Sequence, residues 1–293
     1  METARRLGGL LRERGDHAAI RRYKSLAALQ RWARTCRAEF THLLCVGGDA
    51  TQSATAAAAV RLDVPFVPVP TGFGNLFART FEHPRHPEEV VTLLDEGELT
   101  RVDVGMVGDD EVFLSHHSYG MLQDIQDAVE RRRELLPRSR LARYLAYYAR
   151  TRRWLADGGR ATLRAEVDGA TVSDDAGIVT VANVETYRRF LSLTPLASPL
   201  DGLLDVFVAP RTSNRHLTLR MLRLMLHLPG RSEGMLLLRG RRVVVTVDDR
   251  PSEVLRAAPG ALPLLVPRGS VRRHLRRVGA EQTPLVPLAE RVG

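Results

Sequence analysis

The sequence predicts two domains, an α/β unit followed by a β-rich one. Three observations carry this. Over the first hundred residues helical and strand patterns alternate. Beyond residue 100, short β-branched and apolar runs follow one another across turns such as Gly108-Asp109-Asp110, Asp168-Gly169 and Asp201-Gly202, the pattern of an antiparallel sheet. Two glycine-rich segments in the first unit each sit between a strand and a helix. A chain of 293 residues, 44% hydrophobic, has the length for two cores at roughly 150 residues per domain. The composition shift sets the boundaries at 1–101 and 102–275, with a Pro-containing tail at 276–293.

Taken in order, residues 3–14 read as a helix and 17–23 as a short strand. Residues 26–36 are helical, with Leu26, Leu29, Trp32 and Ala33 on one face. Residues 42–46 form a buried strand, and the Ala-rich stretch 53–61 a helix, since alanine has the best helix propensity. Residues 65–69 are the next strand, placed at an edge or a bulge because Pro68 lacks an N–H. A helix begins over 75–81 and another covers 88–94. Strands are then expected at 100–107, 111–117, 161–167, 177–184, 203–208, 242–247 and 261–266, with helices near 140–155 and 215–228.

Composition excludes several classes of function. No apolar run reaches the 18 residues that a membrane span needs, and no signal peptide is visible at Met1-Glu2-Thr3-Ala4-Arg5-Arg6. Cys36 and Cys45 are too few for a disulfide framework or a Cys-rich zinc site and read as buried thiols in a reducing cytoplasm. Lys24 is the single lysine, so there is no P-loop motif. The formal charge of +9 is arginine dispersed over the chain, with clusters at Arg131-Arg132-Arg133 and around 150–153. With only 5% aromatic residues it does not point to nucleic acid, but attraction to an anionic membrane face stays open. The Leu/Met-rich stretch 217–228, with Arg220, Arg223 and His227 along one stripe, either lies on such a surface or packs on the sheet.

The strongest local signal is Leu43-Leu44-Cys45-Val46-Gly47-Gly48-Asp49-Ala50-Thr51: a strand, a glycine pair with an acid, and a helix start. Glycines let backbone N–H groups approach a phosphate, and the helix N-terminus adds positive potential. Asp49 then either holds Mg²⁺ near that phosphate or caps its own helix in a tight turn. The second segment, Pro70-Thr71-Gly72-Phe73-Gly74-Asn75-Leu76-Phe77-Ala78-Arg79, repeats the arrangement, with Asn75 suited to the N-cap. Both loops fall on the carboxyl edge of a parallel sheet, where open α/β sheets bind ligands.

The pair resembles the GGDGT and P-x-GTxN-(D/L)-FAR motifs of the diacylglycerol kinase catalytic domain, a superfamily with sphingosine kinases and bacterial lipid kinases, and with NAD kinases more distantly. Val102-Asp103-Val104-Gly105, Phe113-Leu114 through Ser118-Tyr119-Gly120, Val181-Ala182-Asn183 and Leu200-Asp201-Gly202-Leu203-Leu204-Asp205-Val206 resemble further motifs of that family in the same order. The resemblance implies a Rossmann-like nucleotide-binding domain followed by an antiparallel β-sandwich, with ATP between them and Mg²⁺ assisting phosphoryl transfer to a lipid hydroxyl such as that of diacylglycerol. It implies Gly47, Gly48, Asp49, Thr51, Gly72, Gly74 and Asn75 as the nucleotide loops, and Asp49, Asp103, Asp201 and Asp205 as the carboxylates near metal. A cytoplasmic protein, peripheral at the inner membrane face and open to homodimerisation, is the expectation.

The chain also departs from the pattern. Ala50 replaces the last glycine of GGDGT, where a positive φ would cost alanine roughly 1 kcal/mol. Phe73, Leu76, Ser53 and Ala54 replace other family residues, and the family's first strand with its Asn-Pro loop is not found. The register anchored on Pro263-Leu264-Leu265-Val266 puts Arg256 where the family's V-D-G-E motif carries its general base, with Asp248, Asp249 and Glu253 as stand-ins. A catalytically impaired kinase that keeps nucleotide or lipid binding, and a non-enzymatic membrane-surface adaptor, are the alternative functions.

Overall fold

The protein is described by a computed structural model that covers residues 2–37, 39–72, 74–120, 122–123, 161–186, 192–211, 234–248 and 250–281. The helices expected near 140–155 and 215–228, the arginine clusters at 131–133 and 150–153, Phe73, Asp249 and the tail beyond 281 lie outside the described residues.

The first unit runs α1 (Glu2–Glu13), α2 (Leu26–Thr35), β1 (Leu43–Gly47), α3 (Asp49–Leu62), β2 (Phe66–Pro70), α4 (Leu76–Thr80) and α5 (Pro87–Glu96). Ser25 caps α2 by accepting the Ala28 N–H at 3.2 Å, and Pro87 opens α5, where a missing N–H costs nothing. Strands β3 (Glu98–Val107), β4 (Glu111–Phe113), β5 (His116–Gly120), β6 (Leu163–Val167), β7 (Ala170–Ala182), β8 (Leu204–Pro210), β9 (Leu236–Gly240), β10 (Arg242–Val247) and β11 (Glu253–Val266) follow, and α6 (Ser270–Glu281) ends the described chain.

Strands β1 and β2 pair in parallel, with Leu43 opposite Phe66. Strand β11 joins β2 in parallel at Leu264 opposite Phe66, pairs antiparallel with β3, and at its other end pairs with β10. From β10 the ladder continues through β6, β7 and β8 to β9, and the sheet does not close. Its α/β part is covered on both faces: Ala56, Phe77 and Phe81 pack on one side, Leu7, Leu11, Val90 and Leu93 on the other. All five residues of β2 are consequently buried. The β-rich unit has a separate core of Tyr119, Leu163, Val179, Val206, Val243 and Leu255.

Several expectations change. Residues 17–23 form no strand: β1 pairs with β2 alone, and Ile20 instead lies against Gly8 of α1. Pro68 sits in an inner strand rather than at an edge. The Leu43 N–H donates to Pro65 and the Thr71 N–H to Gly47, so odd-numbered residues of β2 serve β1. Pro68 therefore faces the β11 side, where the ladder touches β2 only at Phe66 and no N–H is required. The strand expected at 111–117 is two strands, β4 and β5, and β9 was not foreseen. Residues 276–281 are helical rather than part of a tail.

Candidate functional site

The two glycine loops meet backbone to backbone. A methyl group on Gly72 would stand 2.6 Å from the Gly48 Cα and 2.9 Å from Asn75 Oδ1, and one on Gly74 would stand 2.6 Å from Asp49 Oδ2. Glycine is required here by the closeness of approach, not by φ. Thr71 N–H donates to Gly47 O at 3.1 Å, closing the pair at its base.

Asp49 opens α3, but its carboxylate does not cap its own helix. Oδ2 accepts the Asn75 N–H at 2.6 Å and Oδ1 the Leu76 N–H at 2.7 Å, so the acid of one loop caps the helix that starts in the other. Burial raises the Asp49 carboxyl above its ordinary range, against the lowering effect of those backbone donors and of Arg79. Asn75 stands at the N-cap of α4 as expected but in left-handed backbone, φ 50°. Its side chain makes no cap; Oδ1 accepts from Gly72 N at 3.0 Å and Nδ2 donates to Gly72 O at 2.7 Å.

Gly48 caps α3 without a side chain, and helical bonding begins with Gln52 N–H to Gly48 O at 2.9 Å. The N–H groups of Ala50 and Thr51 precede that first bond and have no helix carbonyl to reach. Ala50 is an exposed residue of α3 and is not among the residues of positive φ, so the expected strain is absent.

Asp103 lies elsewhere. Its Oδ1 accepts from Gly260 N at 2.8 Å and its Oδ2 from Gly202 N at 2.6 Å, tying the irregular middle of β11 to the bend before β8, whose glycines have φ of 59° and 72°. Asn183 clamps the same region, donating to Asp103 O at 2.9 Å and Leu114 O at 3.1 Å. Asp201 Oδ1 accepts the Leu203 N–H at 3.1 Å, and the Arg239 guanidinium stands 3.2 Å from Asp205 Oδ1 and 3.8 Å from Asp201 Oδ2. Burial pushes the Asp205 carboxyl up to about 6, less than it would without Arg239. Its Oδ2 is buried without a partner among the described residues.

The four acids expected near metal therefore lie in two places, Asp49 at the loop pair and Asp103, Asp201 and Asp205 around the bend at Gly202, where Asp103 helps to raise the Asp201 carboxyl. Asp49 and Asp103 each spend both oxygens on backbone N–H groups, and Asp201 and Asp205 already face a cation. Among the described residues no three His, Cys, Asp or Glu side chains converge on a possible metal position. These residues do not fit a resident Mg²⁺ ion.

Arg256 does not meet Asp49 or Asp103. It lies within β11, opposite Arg242 and Met106, and its guanidinium reaches Asp109 at 3.1 Å on the surface. Of the stand-in acids, Asp248 accepts the Thr162 N–H at 2.8 Å in the turn after β10, whereas Glu253 starts β11 and approaches β5. There it accepts the Tyr119 hydroxyl at 2.7 Å and stands 3.9 Å from His117 Nε2.

Beside this group lies a cavity of about 160 Å³ between α2, the start of α3 and strands β4 and β5. Ala50, Ser53, Glu111, Phe113, His116 and His117 line it. His116 and His117 are neighbours on β5, where side chains alternate, yet both line this cavity. Ser53 Oγ, which accepts the Leu114 N–H at 3.1 Å, joins the two units at its rim. Sequence reasoning missed this wall because the histidines have no ligand spacing and Glu253 is remote in the chain.

Comparison with known proteins agrees with this architecture. Residues 2–107 match the diacylglycerol kinase catalytic domain and residues 125–266 the YegS C-terminal NAD kinase beta sandwich-like domain. Diacylglycerol kinases from two Mycobacterium tuberculosis strains, CDC 1551 / Oshkosh and H37Rv, are each 26% identical over 181 residues, 60% of this chain. The chain spans 57% of the length of those relatives. Two solved structures from Bacillus anthracis share the fold. One, assigned provisionally as a diacylglycerol kinase, has TM-score 0.67 at 17% identity and covers 92% of this chain and 93% of its own. The other, of a diacylglycerol kinase, has TM-score 0.56 at 16% identity, covering 85% and 84%. Matched in both of its units, the chain belongs to the diacylglycerol kinase catalytic domain family, with the β-sandwich C-terminal domain of its bacterial lipid kinase-like members.

Proposed function

We propose that the chain is an ATP-dependent lipid kinase, transferring the γ-phosphoryl group to the hydroxyl of a lipid such as diacylglycerol. The observation that supports this most is the interlocked loop pair. The Asp49 carboxylate neutralises the N-terminus of α4 and fixes the second loop against the first. This leaves the uncapped start of α3, with the Ala50 and Thr51 N–H groups, as the positive end for an incoming phosphate. Gly47, Gly48, Gly72 and Gly74 keep side chains out of the approach.

The nucleotide enters as its Mg²⁺ complex, the metal carried on the substrate's own phosphates. The protein's contribution is to position the γ-phosphoryl beside the cavity walled by β4 and β5, where a lipid headgroup can present its hydroxyl. Access is from a membrane surface. The reading is of peripheral attachment; among the described residues no helix is long and apolar enough to cross a bilayer.

Radiolabelled ATP offered with Mg²⁺ and a panel of diacylglycerol, ceramide and sphingoid lipids in mixed micelles tests the reading. Labelled phospholipid is the expected product. Tight ATP binding with no labelled lipid would favour a binding protein over a kinase.

A further inference from the structure

The transfer needs a group beside the cavity to remove the acceptor's proton; Arg256 lies out of the site, Asp248 accepts the Thr162 N–H, and Asp249 lies outside the described residues. We propose that His117 is that group, oriented by Glu253, which is itself fixed by the Tyr119 hydroxyl. This rests on the lipid-kinase reading above.

Three observations place the role on His117. It lines the cavity that also holds Ala50 and Ser53, so it is close to the α3 start that receives the phosphate. Its ring is packed between Tyr119, 5.0 Å between centroids, and Phe113, 6.2 Å, which limits its rotation. Its Nε2 stands 3.9 Å from Glu253 Oε2, and the same Oε2 accepts the Tyr119 hydroxyl at 2.7 Å. In the tautomer that keeps the proton on Nε2, the nitrogen nearer that carboxylate, Nδ1 is the basic atom. A carboxylate paired with the remote ring nitrogen both orients an imidazole and stabilises the imidazolium it becomes.

The groups around the ring set its charge. Glu111 on β4, Glu253 on β11, Asp110 in the turn before β4, Arg34 on α2, and His116 and Tyr119 on β5 face this pocket or ring. Burial lowers the His117 pKa, and Glu253 and Glu111 oppose that. The ring is therefore neutral at neutral pH and able to accept a proton, where a free carboxylate is the weaker base.

In the step, the acceptor oxygen bonds to the γ-phosphorus of ATP while the bond from that phosphorus to the β–γ bridging oxygen breaks. ADP leaves with those electrons. The hydroxyl proton passes to His117 Nδ1 and then to water.

The test is steady-state transfer from Mg-ATP to diacylglycerol in mixed micelles, against pH, for the full chain and for His117→Gln, His117→Asn and Glu253→Gln, with each variant's thermal unfolding and Mg-ATP affinity measured alongside. His117→Gln and His117→Asn should lower kcat by roughly 10²–10⁴-fold and abolish the acidic limb of the profile, with Mg-ATP affinity within about threefold of the parent. Glu253→Gln should keep that limb but move it to lower pH, because the imidazolium loses its stabilising anion; the His117 ring titration followed by NMR should move the same way. A parent that turns over while either folded His117 variant keeps kcat within about threefold overturns this inference alone. A parent that transfers phosphate to no lipid overturns the lipid-kinase reading and this inference together.

Discussion

Asp49 and Asn75 belong to different loops, 26 residues apart, yet the Asp49 carboxylate accepts the Asn75 N–H at 2.6 Å. The acid of the first loop is a strap on the second. From sequence Asp49 reads as a metal ligand or the cap of its own helix; the structure makes it a half-buried anchor of the second loop. Asp49→Ala should unfold about 2–3 kcal/mol more easily, because two buried backbone donors lose a charged acceptor. Mg-ATP affinity should fall with it, since the second loop is released. Thermal unfolding and calorimetric titration check both; undiminished stability would show that the strap is dispensable.

Gly72→Ala tests the backbone contact between the loops. The added methyl would meet Gly48 Cα at 2.6 Å, and neither partner is a flexible side chain that can swing away. A cost of about 1–3 kcal/mol is expected, with at least tenfold weaker Mg-ATP binding as the loops separate. Denaturant unfolding and titration measure the two effects.

Ala50→Gly restores the family's glycine but should gain nothing. Ala50 already has helical backbone at the start of α3 and is exposed. Glycine there should cost about 0.5–1 kcal/mol and leave nucleotide affinity unchanged. An increase in affinity on titration would mean that the methyl group obstructs the phosphate.

Two buried groups give opposite pH signatures. Burial pushes His83 down to about 4, although its ring nitrogens lie 3.3 Å from Ala78 O and 2.9 Å from Leu265 O. Its folded pKa lies below the unfolded value, so its stabilisation is present above about pH 6.5 and is lost as pH falls through 4, roughly 3 kcal/mol in all. Asp205, raised to about 6, runs the other way: folding holds its proton more tightly, and stability falls as pH rises from about 4 through 6. The two slopes offset in the parent. Relative to the parent, His83→Gln should therefore lose stability more steeply as pH rises from 4 to 6.5, and Asp205→Asn should gain it. Unfolding free energies at several pH values decide; parallel profiles for parent and variants would contradict both shifts.

The α/β unit was legible because its signals are local. The alternation of pattern, the Ala-rich run of α3 and the glycine pairs each lie within one element. What escaped depends on residues far apart. Pro68 reads as an edge marker, and only the position of β11 shows that its missing N–H faces an unladdered side. The strand expected at 261–266 is only the second half of β11, which begins at Glu253 and runs through Pro259, shifting register between Ala258 and Leu262. At the site, the residues of both loops were legible, but their division of labour was not. Asp49 and Asp103 each reach N–H groups across the chain, and the Glu253–Tyr119–His117 contact spans 134 residues.

Strand β11 belongs to both units: its first residues pair with β10 of the sandwich, its last reach β2 of the α/β sheet, and β3 runs beside it almost throughout. A protein stitched in this way is not two lobes on a flexible tether. Opening the cleft by swinging one half away from the other would have to shear a ladder in the middle of the sheet. Substrate exchange must therefore be a local affair of loops and side chains. The same stitching makes the N-terminal half a poor candidate for separate life. Expressed without its last strand, it would present β2 as a naked hydrophobic rim, an invitation to aggregate.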